Sequence, residues 1–138
     1  RIFKLGGMAV PYGFGTEAFY NNWKTMKADA ADTGYEFGFG VGFDTGGFGS
    51  QPAPRSGSAV KYPFQSYDGG STVDRQTSGT RVFDINVDGL AHYGLMPDWL
   101  EDLRIVAGND GEAIINDMGR GAEAYLQAWS RAAEAGKA

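Results

Sequence analysis

Apolar residues recur along this chain with two different periods, and each predicts a different element. Phe19, Trp23, Met26 and Ala30 stand at i, i+4, i+7 and i+11, one stripe of a helix that opens after the loop "PYGFG" with Thr16 as its cap and stops at Gly34. From Tyr35 the period changes to two. Tyr35, Phe37, Phe39, Val41 and Phe43 share one face of an extended segment, and Glu36, Gly38, Gly40, Gly42 and Asp44 share the other. One face is bulky and apolar. The other carries almost no side chain until it ends in a carboxylate, which leaves room for neighbouring strands or a ligand. Upstream, the apolar run Leu5 to Val10, closed by Pro11, reads as a short buried strand. Strand, helix, strand in that order is the pattern of a parallel sheet.

Periodicity then fades. From Thr45 to about Thr80 no clear element emerges, and so long a stretch in a compact domain is usually a mobile surface loop or a lid over a binding site. Tyr62, Phe64 and Tyr67 lie within it, aromatics that a solvated linker does not need. Helical spacing returns with Pro97 as a first helical residue, Asp98 and Glu101 near the positive end, and Trp99, Leu100, Leu103 and Val106 as the buried stripe before Gly108. A short helix near residues 112–118 and a longer one over 122–135 complete the chain. The last is expected to bury Tyr125, Leu126, Trp129 and Ala133.

Composition narrows the function classes. With 138 residues and a net charge of −5, the chain is one domain in size and poorly suited to a nucleic-acid groove or an anionic membrane face. The absence of cysteine excludes disulfides, iron–sulfur clusters and thiolate zinc sites. No apolar run has the length of a membrane span, and no signal peptide is present. The first residue is Arg1 rather than Met, as expected of a processed, excised or trimmed chain.

"FDINVDGLAHYG", Phe83 to Gly94, contains the front half of a calcium loop in Asp84, Asn86 and Asp88, and the chain's single histidine, His92. The twelfth position of such a loop is Leu95, which cannot ligate, and no entering helix precedes Asp84. Val82, Ile85 and Val87 read instead as a strand that ends in the turn Asp88–Gly89, with the carboxylates capping that turn.

The segments "GFGVGFDTGGFGSQPAPR", "YPF", "DRQTSGTRVFDINVDGLAHYGLMPDWLEDL" and "GAEAYLQAW" together resemble the C-terminal end of dipeptidase-like hydrolases. These are metal-dependent (β/α)8-barrel enzymes of the amidohydrolase type, related to the renal (membrane) dipeptidases, and their bacterial members are often exported. The resemblance implies an α/β fold, the C-terminal portion of a TIM-type barrel: its last two strands (5–10 and 37–43), a long loop and the terminal helices. Residues 1–44 would form strand, helix and strand; 45–82 the loop over the barrel mouth; 83–138 the return segment and helices. Asp44 would be the catalytic carboxylate at the end of the last strand, taking the proton of the attacking water. Arg55 and His92 are substrate-binding candidates: a guanidinium grips a carboxylate at two points, and His92 is either a substrate contact or a structural histidine.

The family's metal ligands, a His-x-Asp pair, a glutamate and two further histidines, are not among these residues. No metal ligand is therefore assigned to this chain. The resemblance implies a divalent metal, zinc, bound mostly by residues outside it, and as partner the remaining part of the barrel, from another chain or a preceding region. The function implied is one portion of an amide-bond hydrolase, not active by itself, acting on a peptide or other small molecule in an extracellular or periplasmic setting. The alternative is a non-catalytic barrel-like or carbohydrate-binding structural subunit.

Overall fold

The computed structural model describes residues 1–44, 51–57 and 60–136. Among these, five α-helices and two small antiparallel sheets form an α/β domain. Helix α1 spans Thr16–Ala30, and the hairpins pair β1 (Phe64–Gln65) with β2 (Thr72–Val73) and β3 (Thr77–Ser78) with β4 (Arg81–Val82). Then follow α2 (Ile85–Asp88), α3 (Met96–Ala107), α4 (Gly111–Gly119) and α5 (Gly121–Ala135).

This corrects the expectation of a TIM-barrel portion. Leu5 ends a short 3-10 turn, and residues 7–10 run extended without a sheet. The segment at 37–43 is extended too, yet it meets its neighbour at a single parallel bridge, Tyr12 to Gly42. There Gly13 N–H donates to Gly42 O at 2.8 Å and Gly42 N–H to Pro11 O at 3.2 Å. The ladder stops for physical reasons. Pro11 has no N–H to offer, and the helices occupy the other backbone groups: Phe39 N–H reaches Asp117 O of α4, while Gly121 packs on Phe39 O. A Cβ on Gly38 would stand 2.5 Å from Arg120 O, so the α4–α5 junction covers that end of the glycine face, while a Cβ on Gly40 or Gly42 would meet the Val10 side chain at 3.3 or 3.6 Å.

The apolar face is buried at Phe39 and Phe43, half-buried at Phe37 and Val41, and exposed at Tyr35. The Phe19 and Phe43 rings meet Trp99 edge-on at 5.1 and 4.9 Å. In α1 the buried side chains are Thr16, Phe19, Trp23 and Met26, but the cap position falls to Gly15 rather than Thr16. Asp117 of α4 ties this helix down, accepting from Trp23 Nε1 at 2.9 Å and Lys27 Nζ at 2.8 Å. Pro97 lies in the first turn of α3, as its fixed φ favours.

The last helix departs from its pattern. Tyr125, Leu126 and Trp129 are 59%, 53% and 64% exposed, and Ala133 is exposed as well. Only Gly121 and Ala124 are buried. Small residues at its start press on Gly38 and Phe39, and this contact points the apolar stripe away from the core. The expected strand through Val82–Val87 is also broken. β4 ends at Val82, and Ile85–Asp88 is a single helical turn capped by Asp84, whose carboxylate accepts from Asn86 N–H at 2.9 Å.

Candidate functional site

A cleft of about 470 Å³ opens where the start of α1, the segment 52–56, α2 and α3 converge. Phe14, Leu90 and Trp99 give it apolar wall; Glu17, Arg55, Asn86 and Asp102 are among its polar side chains. The residues at 45–50 and 58–59, part of the expected loop, lie outside the described residues.

Arg55 meets Asp102 through its guanidinium edge. Nη2 donates to Oδ1 at 2.6 Å, and Nε donates to Oδ1 and Oδ2 at 3.1 and 3.2 Å. Both side chains are largely sheltered, so solvent screens the pair weakly, and the hydrogen bonds that Arg55 donates to Asp102 raise its pKa. Asn86 locks the opposite wall. Its Nδ2 donates to Val60 O at 3.0 Å and its Oδ1 accepts Val60 N–H at 2.8 Å, as a backbone neighbour would.

Behind the cleft lies a more deeply buried polar layer. Asp98, fully buried on α3, accepts the Tyr62 hydroxyl hydrogen through Oδ1, while its Oδ2 has no partner. Burial raises the Asp98 pKa, with the Tyr62 hydrogen bond opposing. Tyr62 is pushed up in turn, first by burial and then by Asp98. The Arg75 guanidinium sits 4.6 Å above the Tyr62 ring and donates to Asp84 at 2.7 Å. Burial works against the Asp84 charge, yet Arg75 and Asn86 hold its carboxyl below the usual range. Asp88 is likewise lowered, first by the N–H of Asp84 and then by Arg81. These carboxylate oxygens cap and brace a turn.

The three residues singled out from the sequence do not converge. Arg55 lines the cleft. His92 caps the 3-10 turn at Tyr93–Leu95: its Nδ1 accepts Gly94 N–H at 3.0 Å, and its ring meets Phe83 edge-on at 4.5 Å. Asp44 is exposed at the end of its extended segment, with φ at 50°, and is absent from the cleft lining. Among the described residues no three His, Asp or Glu side chains gather to hold a metal ion.

Sequence reading took Asp98 only as a favourable charge at the helix start and passed over Asp102, although a signal was there. Leu95, Asp98, Trp99, Asp102 and Leu103 follow one helical stripe, and all five are buried. Carboxylates on a core-facing stripe need partners. Tyr62 and Arg55 supply them from the segment before α2.

No protein-family model, curated protein or solved structure matches this chain.

Proposed function

We propose that this chain is one portion of a metal-dependent hydrolase of amide bonds, completed by further polypeptide and not active by itself. The observation that carries this reading is apolar surface left uncovered. Ile2, Leu5, Tyr125, Leu126 and Trp129 are all more than half exposed. Arg131 draws these regions together, donating to Gly6 O while lying 4.6 Å above the Tyr35 ring. Soluble monomers seldom leave large apolar patches wet, and such patches mark association surfaces.

In this reading the docked polypeptide supplies the metal ligands, and a metal centre there would polarise the scissile carbonyl and activate water. Asp44, a solvent-reachable carboxylate, is the residue proposed to receive the proton of that water. Arg55, steadied by Asp102, lines the cleft proposed to take the substrate. A second reading draws on the exposed rings of Tyr12, Tyr67, Tyr93, Tyr125 and Trp129, which would suit a carbohydrate-binding structural subunit.

The test is purified chain, residues 1–138, assayed against a dipeptide series with added zinc and titrated with a dye that binds apolar surface. The proposal expects no turnover, and dye binding that falls sharply in Trp129→Glu. Hydrolysis by the isolated chain, lost in Asp44→Asn, overturns the division of catalytic groups. A chain that binds no dye but retains oligosaccharides favours the second reading.

A further inference from the structure

A second groove, of about 530 Å³, lies on a different side chain set from the cleft, between the β1–β2 hairpin and helices α3 and α4. Its floor is apolar, built from Phe64, Leu100 and Ile115. Its ionised groups are Asp68, Glu101, Arg104 and Glu112. The charges do not balance. Arg104 spends its fork on Glu101, with Nε and Nη2 each 2.7 Å from a carboxylate oxygen. Glu112 has no ion-pair partner at salt-bridge distance among the described residues. Asp68 accepts from the Ser66 hydroxyl at 2.6 Å and Gly70 N–H at 3.0 Å, neutral donors that hold its carboxyl below the usual range and so keep it charged. The lining of this apolar-floored groove thus carries a net of two negative charges, with Arg104 paired to Glu101 and only longer-range attraction to Glu112.

The groove is also braced open. Tyr67, at the hairpin tip, gives its hydroxyl hydrogen to Asn116 of α4, which fixes the hairpin at a set distance from the helices and leaves the ring 54% exposed. We propose that this groove docks an arginine side chain presented by a partner polypeptide. An arginine stem covers apolar floor while its head stays charged. The planar guanidinium stacks on an aromatic face and offers two-point donors to a carboxylate, which an ammonium matches poorly. The net of two negative charges selects against acidic partners. This inference is independent of the hydrolase reading, since it uses none of the cleft residues.

The test is amide chemical-shift mapping of the 138-residue chain with the capped tripeptide Ala-Arg-Ala and its citrulline counterpart, equal in shape and lacking the charge. The expected result is saturable shifts at residues 66–70, 100 and 112, with the citrulline peptide about tenfold weaker, the loss of one charge-assisted contact. Glu112→Gln should weaken binding of the arginine peptide, Glu112→Lys should abolish it, and about 0.5 M salt should suppress it. Glu112 is exposed, so neither variant threatens the fold. Equal shifts from both peptides, shifts confined to other surfaces, or no saturable shift overturn the proposal. If a lysine tripeptide binds as tightly as the arginine one, the assignment of the guanidinium fails.

Discussion

The carbonyl oxygen of Pro52 occupies the space where Gly89 would carry a side chain: a Cβ there would lie 2.1 Å from it. The same carbonyl accepts Leu90 N–H at 3.0 Å, which seals the 52–54 segment to the end of α2 and forms one rim of the cleft. Gly89 has φ 64° and ψ −156°, a backbone region open almost only to glycine. Two independent constraints therefore demand glycine. Gly89→Ala should destabilise the fold by at least about 2 kcal/mol, combining backbone strain with the clash. Chemical denaturation measures it; a loss under about 0.5 kcal/mol, the scale of a neutral surface change, would show that the segment is not seated there.

Asp98 gives the domain a pH dependence of known sign. A carboxyl whose pKa is raised by burial binds its proton more tightly folded than unfolded. Its contribution is fully present below the unfolded carboxyl pKa of about 4 and is lost as pH rises through the folded value. Asp98→Asn keeps the shape and an acceptor for Tyr62 while removing the charge. It should raise stability at neutral pH by roughly 1 kcal/mol and flatten this part of the pH profile. Thermal melts from about pH 4, the ordinary carboxyl range, up to neutral pH decide the matter. A lower Tm at neutral pH in the variant would mean that the charged form is stabilised in place.

The Arg55–Asp102 pair should behave as a coupled unit. Removing either partner leaves a sheltered charge uncompensated, so Arg55→Ala and Asp102→Ala should each cost about 3 kcal/mol. The double variant should cost less than the sum, with a coupling of about 1–3 kcal/mol in a double-mutant cycle. Additive losses would mean that the pair is not formed in solution. Arg55→Lys should recover only part of the coupling, because a lysine cannot make the two-edged contact.

Trp129 offers a test of packing against pattern. A core tryptophan truncated to alanine costs about 3–5 kcal/mol, whereas an exposed one changes stability by about 0.5 kcal/mol or less. Trp129 is 64% exposed, so Trp129→Ala should leave the denaturation midpoint of the chain nearly unmoved. A core-sized loss would return α5 to the interior that its amphipathic spacing calls for.

What the sequence by itself determined about this protein is local. The stripe of Phe19, Trp23 and Met26, the opening of α3 at Pro97 and its stop at Gly108 depend on neighbours three and four residues away and on backbone limits of single residues. The turn chemistry of Asp84 and Asp88 is legible for the same reason: each carboxylate reaches a backbone N–H within four residues. Alternation in residues 35–44 correctly marks Phe39 and Phe43 for burial. It cannot say what covers the glycines opposite, and tertiary structure placed a helix junction on Gly38 and the Val10 side chain against Gly40 and Gly42. The short hairpins escaped notice because two-residue strands have too few positions to show a period. The cleft itself depends on distant encounters, Arg55 with Asp102 across 47 residues and Tyr62 with Asp98 across 36. Pattern marks a carboxylate on a buried stripe as needing a partner; only the packed chain decides which donor arrives, because that choice depends on how the whole backbone returns through space.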